Sequence, residues 1–243
     1  MARYQVQRIP NRRRGSNCGC LVVLMLSVLV IGGVLTLFAI TNLPQITASL
    51  TGMQAIGSTD QVFAQPARNV PAVAVRNVGR AADVSVVAAD VGTFPLDAGT
   101  VETGADTSGN PVAVLQISES DLNRICQRQS TICGTGNGRV RGANIDLRPD
   151  GLVITAEFLV PQTGLWIPAG AVARFSTGGG QLSLAGVDIN GTLYTVPPNI
   201  ASLDDLERVA NDFLRRSALR ADGRAYQIAS LYADNDRLTV ILR

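Results

Sequence analysis

The stretch Arg139–Val160, RVRGANIDLRPDGLVITAEFLV, decides how the chain folds. In its second arm Leu152, Ile154, Ala156 and Phe158 share one side of a strand, and Val153, Thr155, Glu157 and Leu159 share the other, because successive side chains of a strand alternate. Pro149-Asp150-Gly151 ahead of it reads as a turn in which proline presets φ and glycine supplies a positive one. Arg139–Arg148 and Leu152–Val160 then form a hairpin, and strands joined so tightly pair antiparallel.

The same pattern extends in both directions. Downstream, Ala171–Ser176 and Gln181–Ile189 flank Thr177-Gly178-Gly179-Gly180 as a second hairpin. Upstream, Val112–Ile117 reads as a short strand that runs into a helix capped by Ser118, with Glu119 and Asp121 in its first turn. Leu122, Ile125 and Cys126 give that helix an apolar face, and the glycines from Gly134 to Gly138 stop it. After Pro197-Pro198, Ser202 caps a second helix from Leu203 to about Arg220, ended by Asp222-Gly223. Its stripe is Leu203, Leu206, Val209, Ala210, Phe213 and Leu214. Tyr226–Ala233 and Leu238–Leu242 close the chain as a hairpin about Asp234-Asn235-Asp236.

The order β-α-β-β-β-β-α-β-β predicts an α+β domain over residues 111–243, a curved antiparallel sheet packed on two helices. Residues 43–110 are rich in Ala, Val, Thr, Gly and Pro and hold no sustained alternation. They read as a stalk or linker with one or two strands, ended by the turn formers Asp106–Pro111.

Leu21–Ile40, LVVLMLSVLVIGGVLTLFAI, is an uncharged run of 20 residues. As a helix it is about 30 Å long, the thickness of a bilayer's hydrocarbon core. The tail before it, residues 1–20, carries Arg3, Arg8, Arg12, Arg13 and Arg14 and no acid. Positive residues stay on the cytoplasmic side, so Arg8, Arg12, Arg13 and Arg14 orient the span. The N-terminus is expected in the cytoplasm and residues 43–243 outside, on a single-pass anchor. The rival reading is a cleaved signal peptide, whose apolar core is usually shorter, about 7–15 residues, and ends at a small-x-small site; Ala39-Ile40-Thr41 is a poor one. Cys18 and Cys20 precede the apolar run, which disfavours a lipoprotein.

Composition excludes several chemistries. All 21 basic residues are Arg, and the chain has no His, which removes the commonest general base and zinc ligand. Outside the tail, 16 Arg face 19 acids, so the remainder is mildly acidic and poorly suited to nucleic acid. No cofactor motif is present, and a non-catalytic protein is expected.

The segments VAVLQISESDLNRIC and IDLRPDGLVITAEFLVP, the glycine-turn hairpin, the late helix and the closing RLTVIL together resemble the bacterial LmeA-like and YpmS-like envelope proteins. The resemblance covers about Pro111–Arg243. It implies a relative of the tubular lipid-binding folds, in which a curved sheet wraps a helix and leaves an apolar groove. Lipid contact in the cell envelope follows from the resemblance alone; the bilayer as a partner follows from Leu21–Ile40, and an envelope protein is the partner that an interaction scaffold would position.

Among the candidate sites, Cys126 and Cys133 lie in the expected outer domain, where disulfides persist. One continuous helix through both would hold their Cα atoms about 10 Å apart, too far to bridge. Two readings stand: a helix that ends near Arg128 with a disulfide, or a pair of buried thiols. Gln162–Pro168 carries the single Trp in what reads as a loop between the hairpins. Leu165, Trp166 and Ile167, with Phe158, are candidate lining of a lipid groove or a membrane-dipping element; the alternative is that Trp166 caps the open end of the core. Gly134–Gly138 follows a helix and precedes a strand, the wrong order for a phosphate loop. Asp204-Asp205 and Asp234/Asp236 fit a helix start and a turn better than a calcium loop. Asn190-Gly191-Thr192 is a glycosylation sequon. Two functions follow: a tethered lipid-binding or envelope-assembly accessory protein, or a tethered protein-interaction scaffold without a ligand cavity.

Overall fold

The computed structural model describes residues 53–64, 76–88, 92–96, 98–129, 133–134, 136, 138–160, 163–176, 179–195 and 203–243. The expected span Leu21–Ile40, the orienting arginines and the Ser202 cap lie outside them. No helix among the described residues is long and apolar enough to cross a membrane.

The fold is α+β, built of antiparallel, strongly curled sheets and few helices. The first sheet orders its six strands as β1 (Ala55–Ser58), β11 (Thr192–Tyr194), β10 (Leu182–Ile189), β9 (Leu165–Phe175), β8 (Gly151–Val160) and β7 (Val140–Arg148). The second has eight: β2 (Arg76–Arg80), β5 (Thr100–Ala105), β6 (Pro111–Ser118), β14 (Arg237–Leu242), β13 (Arg224–Ala233), β12 (Ala218–Ala221), β3 (Val84–Ala88) and β4 (Gly92–Pro95). Helices α1 (Thr59–Phe63), α2 (Glu119–Gln129) and α3 (Leu203–Arg216) complete the described elements.

Three expectations need correction. Two sheets replace the single one. Residues 43–110 are not merely a stalk: β5 and β6 form a hairpin across the expected boundary, and β1 and β3 pair with β11 and β12. The turn formers at Asp106–Pro111 close that hairpin, with the backbone N–H groups of Ser108 and Asn110 both donating to Asp106 Oδ1 at 2.9 Å. The second helix ends at Arg216, and Asp222-Gly223 joins β12 to β13 instead of stopping it. Asp222 (φ 50°) and Gly223 (φ 77°) are both left-handed, the backbone of the favoured two-residue hairpin turn. Asn190 (φ 54°) and Gly191 (φ 81°) make the same turn between β10 and β11.

In the β7–β8 turn the left-handed residue is Asp150, at φ 56°. Gly151 serves a different need: a Cβ there would lie 2.3 Å from the Ala173 carbonyl oxygen and 2.6 Å from the Phe63 ring. Glycine therefore lets β9 and α1 close over the turn.

The alternation read for β8 holds. Leu152, Ile154 and Ala156 face a large core with Ala173 and Phe175 of β9, Leu122 and Cys126 of α2, Ala210, Phe213 and Leu214 of α3, and Val240 of the second sheet. Burying a large aliphatic side chain contributes about 1.5–3 kcal/mol, so this shared core holds both sheets and both long helices together. Val153 and Val172 face the opposite way, under Phe63 and Leu193. Val209, expected in the α3 stripe, is 50% exposed.

Both long helices attach to the first sheet by the same device. On α2, Glu119 accepts the Leu147 N–H (2.7 Å), and Asn123 exchanges two hydrogen bonds with the Ile145 backbone. On α3, Glu207 accepts the Leu184 N–H (3.1 Å), and Asn211 exchanges two with Leu182. A Glu-x-x-x-Asn pair one helical turn apart thus satisfies strand backbone that has no neighbouring strand there. Ser118 caps α2 as expected, accepting the Asp121 N–H at 3.1 Å.

Candidate functional site

At one end of the first sheet, β8 and β9 outrun their neighbours. Pairing of β10 with β9 stops at Ile189–Ala169, and β7 begins opposite Phe158. Pairing of β8 with β9 continues to Val160–Leu165. Leu165–Pro168 therefore run on beyond β10, and with Leu159–Val160, whose Leu159 N–H still donates to the Arg139 carbonyl at 2.8 Å, they form a finger at the end of the sheet. The segment expected as a loop around Trp166 is the first part of β9. Pro168 fits within the strand because, among the described residues, it has β8 on one side and no partner strand on the other, where a missing N–H costs nothing. Gly170 is needed because a Cβ would lie 2.6 Å from the Ile154 carbonyl oxygen.

Strand alternation divides the four candidate residues. Phe158 is half-buried against the main core. Ile167 pairs with Phe158, and Leu165 with Val160, on that same inner face. Leu165 is 62% exposed and Ile167 39%. The inner apolar face thus runs from buried Ile154 through Phe158 to a solvent-facing rim of Val160, Leu165 and Ile167. Trp166 is on the outer face, opposite to Leu165 and Ile167. It stacks under the Arg141 guanidinium, 4.0 Å from ring centroid, and Arg141 Nε donates to Glu157 at 2.6 Å. Such a cation over an indole is attracted by the ring's negative face. Val160 and Arg141 were not singled out from the sequence; the i, i+2 relation of Val160 to Phe158 was the available signal.

Cys126 and Cys133 form a disulfide with Cα atoms 5.6 Å apart. The helix ends at Gln129 and the chain turns back, as the disulfide reading required. The bridge ties the end of α2 to the segment that leads into β7. Gly134–Gly138 lies between α2 and β7, in the order that disfavours a phosphate loop.

The remaining candidates have local roles. Asp234 Oδ1 accepts the backbone N–H groups of Asp236 (3.1 Å) and Arg237 (2.8 Å) in the β13–β14 turn. Burial works against its charge, but these donors and the Asp236 side chain hold its carboxyl below the usual range. The hydrogen bond to Asp234, then its negative charge, push the Asp236 carboxyl up. Asp204 and Asp205 lie in the first turn of α3, with Asp205 paired to Arg208. Asn190 of the sequon is exposed in its turn. Among the described residues, no group of three or more His, Cys, Asp or Glu is placed to hold a metal ion.

No protein-family model, curated protein or solved structure matched the chain.

Proposed function

We propose that the chain is a membrane-anchored, non-catalytic protein whose outer α+β domain handles lipid at the rim formed by Phe158, Val160, Leu165 and Ile167. Leu21–Ile40 is the anchor in this reading, with the arginine-rich tail in the cytoplasm. The observation that carries it is the continuity of the inner apolar face: β8 and β9 extend the core's surface past its last buried residues into solvent. Exposed apolar surface contiguous with a core marks a place where an apolar ligand is covered. The resemblance to envelope lipid-handling proteins points the same way.

An interaction scaffold is the second reading, favoured by one observation. Leu152, Ile154 and Ala156 are buried by α2, α3 and the second sheet, which leaves the rim and not the sheet centre for a ligand. Native mass spectrometry of the full chain released from lipid nanodiscs separates the two. A bound lipid lost in Phe158→Asp supports lipid handling. An equal lipid complement in both proteins assigns it to the anchor and favours the scaffold.

A further inference from the structure

The finger has features that a ligand-lining role does not require. We propose that it docks onto an anionic bilayer surface, with Leu165 and Ile167 entering the acyl boundary and Trp166 and Arg141 lying at headgroup depth. This rests on Leu21–Ile40 being the anchor.

Three observations converge on a bilayer. The finger presents apolar Leu165 and Ile167 on one face and the Arg141–Trp166 stack on the other. Indole rings favour the water–membrane boundary, and arginine carries its charge to phosphate there. Charge is also divided along the sheet. Arg139 and Arg141 flank Val140, the first residue of β7, beside the finger, and Glu157, paired with Arg141, is the strand acid there. At the opposite turns Asp60, Asp146, Asp150, Asp234 and Asp236 outnumber the neighbouring arginines Arg148, Arg174 and Arg237. An anionic surface would meet the finger end and repel the other.

Chain length permits this orientation. Twelve residues separate Ile40 from Met53, a reach of at most about 45 Å however they fold. Through its pairing with β11 and β10, Ala55 is level with Ala171 of β9. From there Leu165 is about 20 Å along the strand and about 14 Å across three strand spacings. The tether is thus long enough for the finger to touch the bilayer that holds the anchor, and too short for the domain to travel far from it.

Trp166 is the chain's single Trp and reports its own depth. The full-length protein is reconstituted in phosphatidylcholine/phosphatidylglycerol vesicles with plain or brominated acyl chains. The proposal expects loss of Trp166 emission in the brominated vesicles and its recovery in the double variant Leu165→Asp/Ile167→Asp, which alters exposed positions and retains the wild-type circular dichroism. Emission that is equal in both vesicles, or quenching that the double variant retains, overturns docking. Cross-links between the fingers of two copies, with Trp166 unquenched, overturn it in favour of self-association. A chain that fails to float with vesicles overturns both the anchor and the docking. Unquenched Trp166 alongside a Phe158-dependent bound lipid overturns docking alone.

Discussion

The Asn123 side chain donates to the Ile145 carbonyl and accepts the Ile145 N–H, both at 2.8 Å, so that one amide stands in for a missing neighbour strand. Asn211 does the same for Leu182, also at 2.8 Å twice. With Glu119 and Glu207 one turn earlier, each helix closes a length of open strand that would otherwise expose unpaired backbone.

Removing this amide strands two backbone groups at once. Asn123→Ala and Asn211→Ala should each cost about 1–3 kcal/mol in urea unfolding of the full chain in detergent. Asn123→Asp keeps the acceptor and loses the donor to Ile145, so its loss should lie between wild type and Asn123→Ala at neutral pH. A neutral Asn123→Ala would show that Glu119 and apolar packing suffice to hold α2 to β7.

Gly151 marks where backbone approaches backbone. Since a Cβ would meet the Ala173 carbonyl oxygen at 2.3 Å, Gly151→Ala must push β9 or the turn aside, at about 1–3 kcal/mol. Gly109→Ala is the comparison: the space around it is open, but its φ of 84° adds strain, so a loss of about 1 kcal/mol is expected. Thermal unfolding that ranks the two in reverse would contradict the packing argument.

The Cys126–Cys133 bridge closes a short loop, so reduction should remove about 2 kcal/mol in the chain-entropy account. The effect should localise. Hydrogen exchange is expected to rise at the end of α2 and the start of β7 and to stay unchanged in β13 and β14. Uniform acceleration across both sheets would instead make the bridge a determinant of the whole core.

Acid sensitivity should include the β5–β6 turn. The backbone N–H of Asn110, joined by that of Ser108 and offset in part by desolvation, holds the Asp106 carboxyl below its usual range. A carboxyl with a folded pKa below its unfolded value of about 3.9 contributes stability above that value, and the contribution is lost as pH falls through the folded one. Asp106→Asn should therefore flatten part of the decline in stability below about pH 4 and change little of its shape near neutrality. An unchanged acid limb would remove the turn from the account.

Much of the fold was legible where one residue's neighbours in sequence are also its neighbours in space. The alternation from Leu152 to Phe158, the Ser118 cap and the return of the chain between Cys126 and Cys133 all depend on local geometry. Residues 76–105 were not legible, because their small residues make no alternating pattern and β3 is specified by a partner, β12, distant in the chain. Two turns were legible and misassigned. Asn190-Gly191 was read only as a sequon and Asp222-Gly223 as a helix stop, although both are strong signals for a two-residue hairpin. On the inner face, Phe158, Leu165 and Ile167 stood out in the sequence by their hydrophobicity. The opposite orientation of Trp166 depended on β9 starting at Leu165, which Pro168 and Gly170 disguised.

Lipid contact at the rim is open to a direct test by photo-crosslinking in the membrane. The full chain is expressed in cells or vesicles containing a phospholipid with a photoactivatable acyl chain, irradiated, digested and mapped by mass spectrometry. Adducts are expected on the peptides bearing Phe158, Val160, Leu165 and Ile167, in addition to those on the anchor, and should fall away from the Phe158 peptide in Leu165→Asp/Ile167→Asp. Adducts confined to residues 21–40 would contradict the claim.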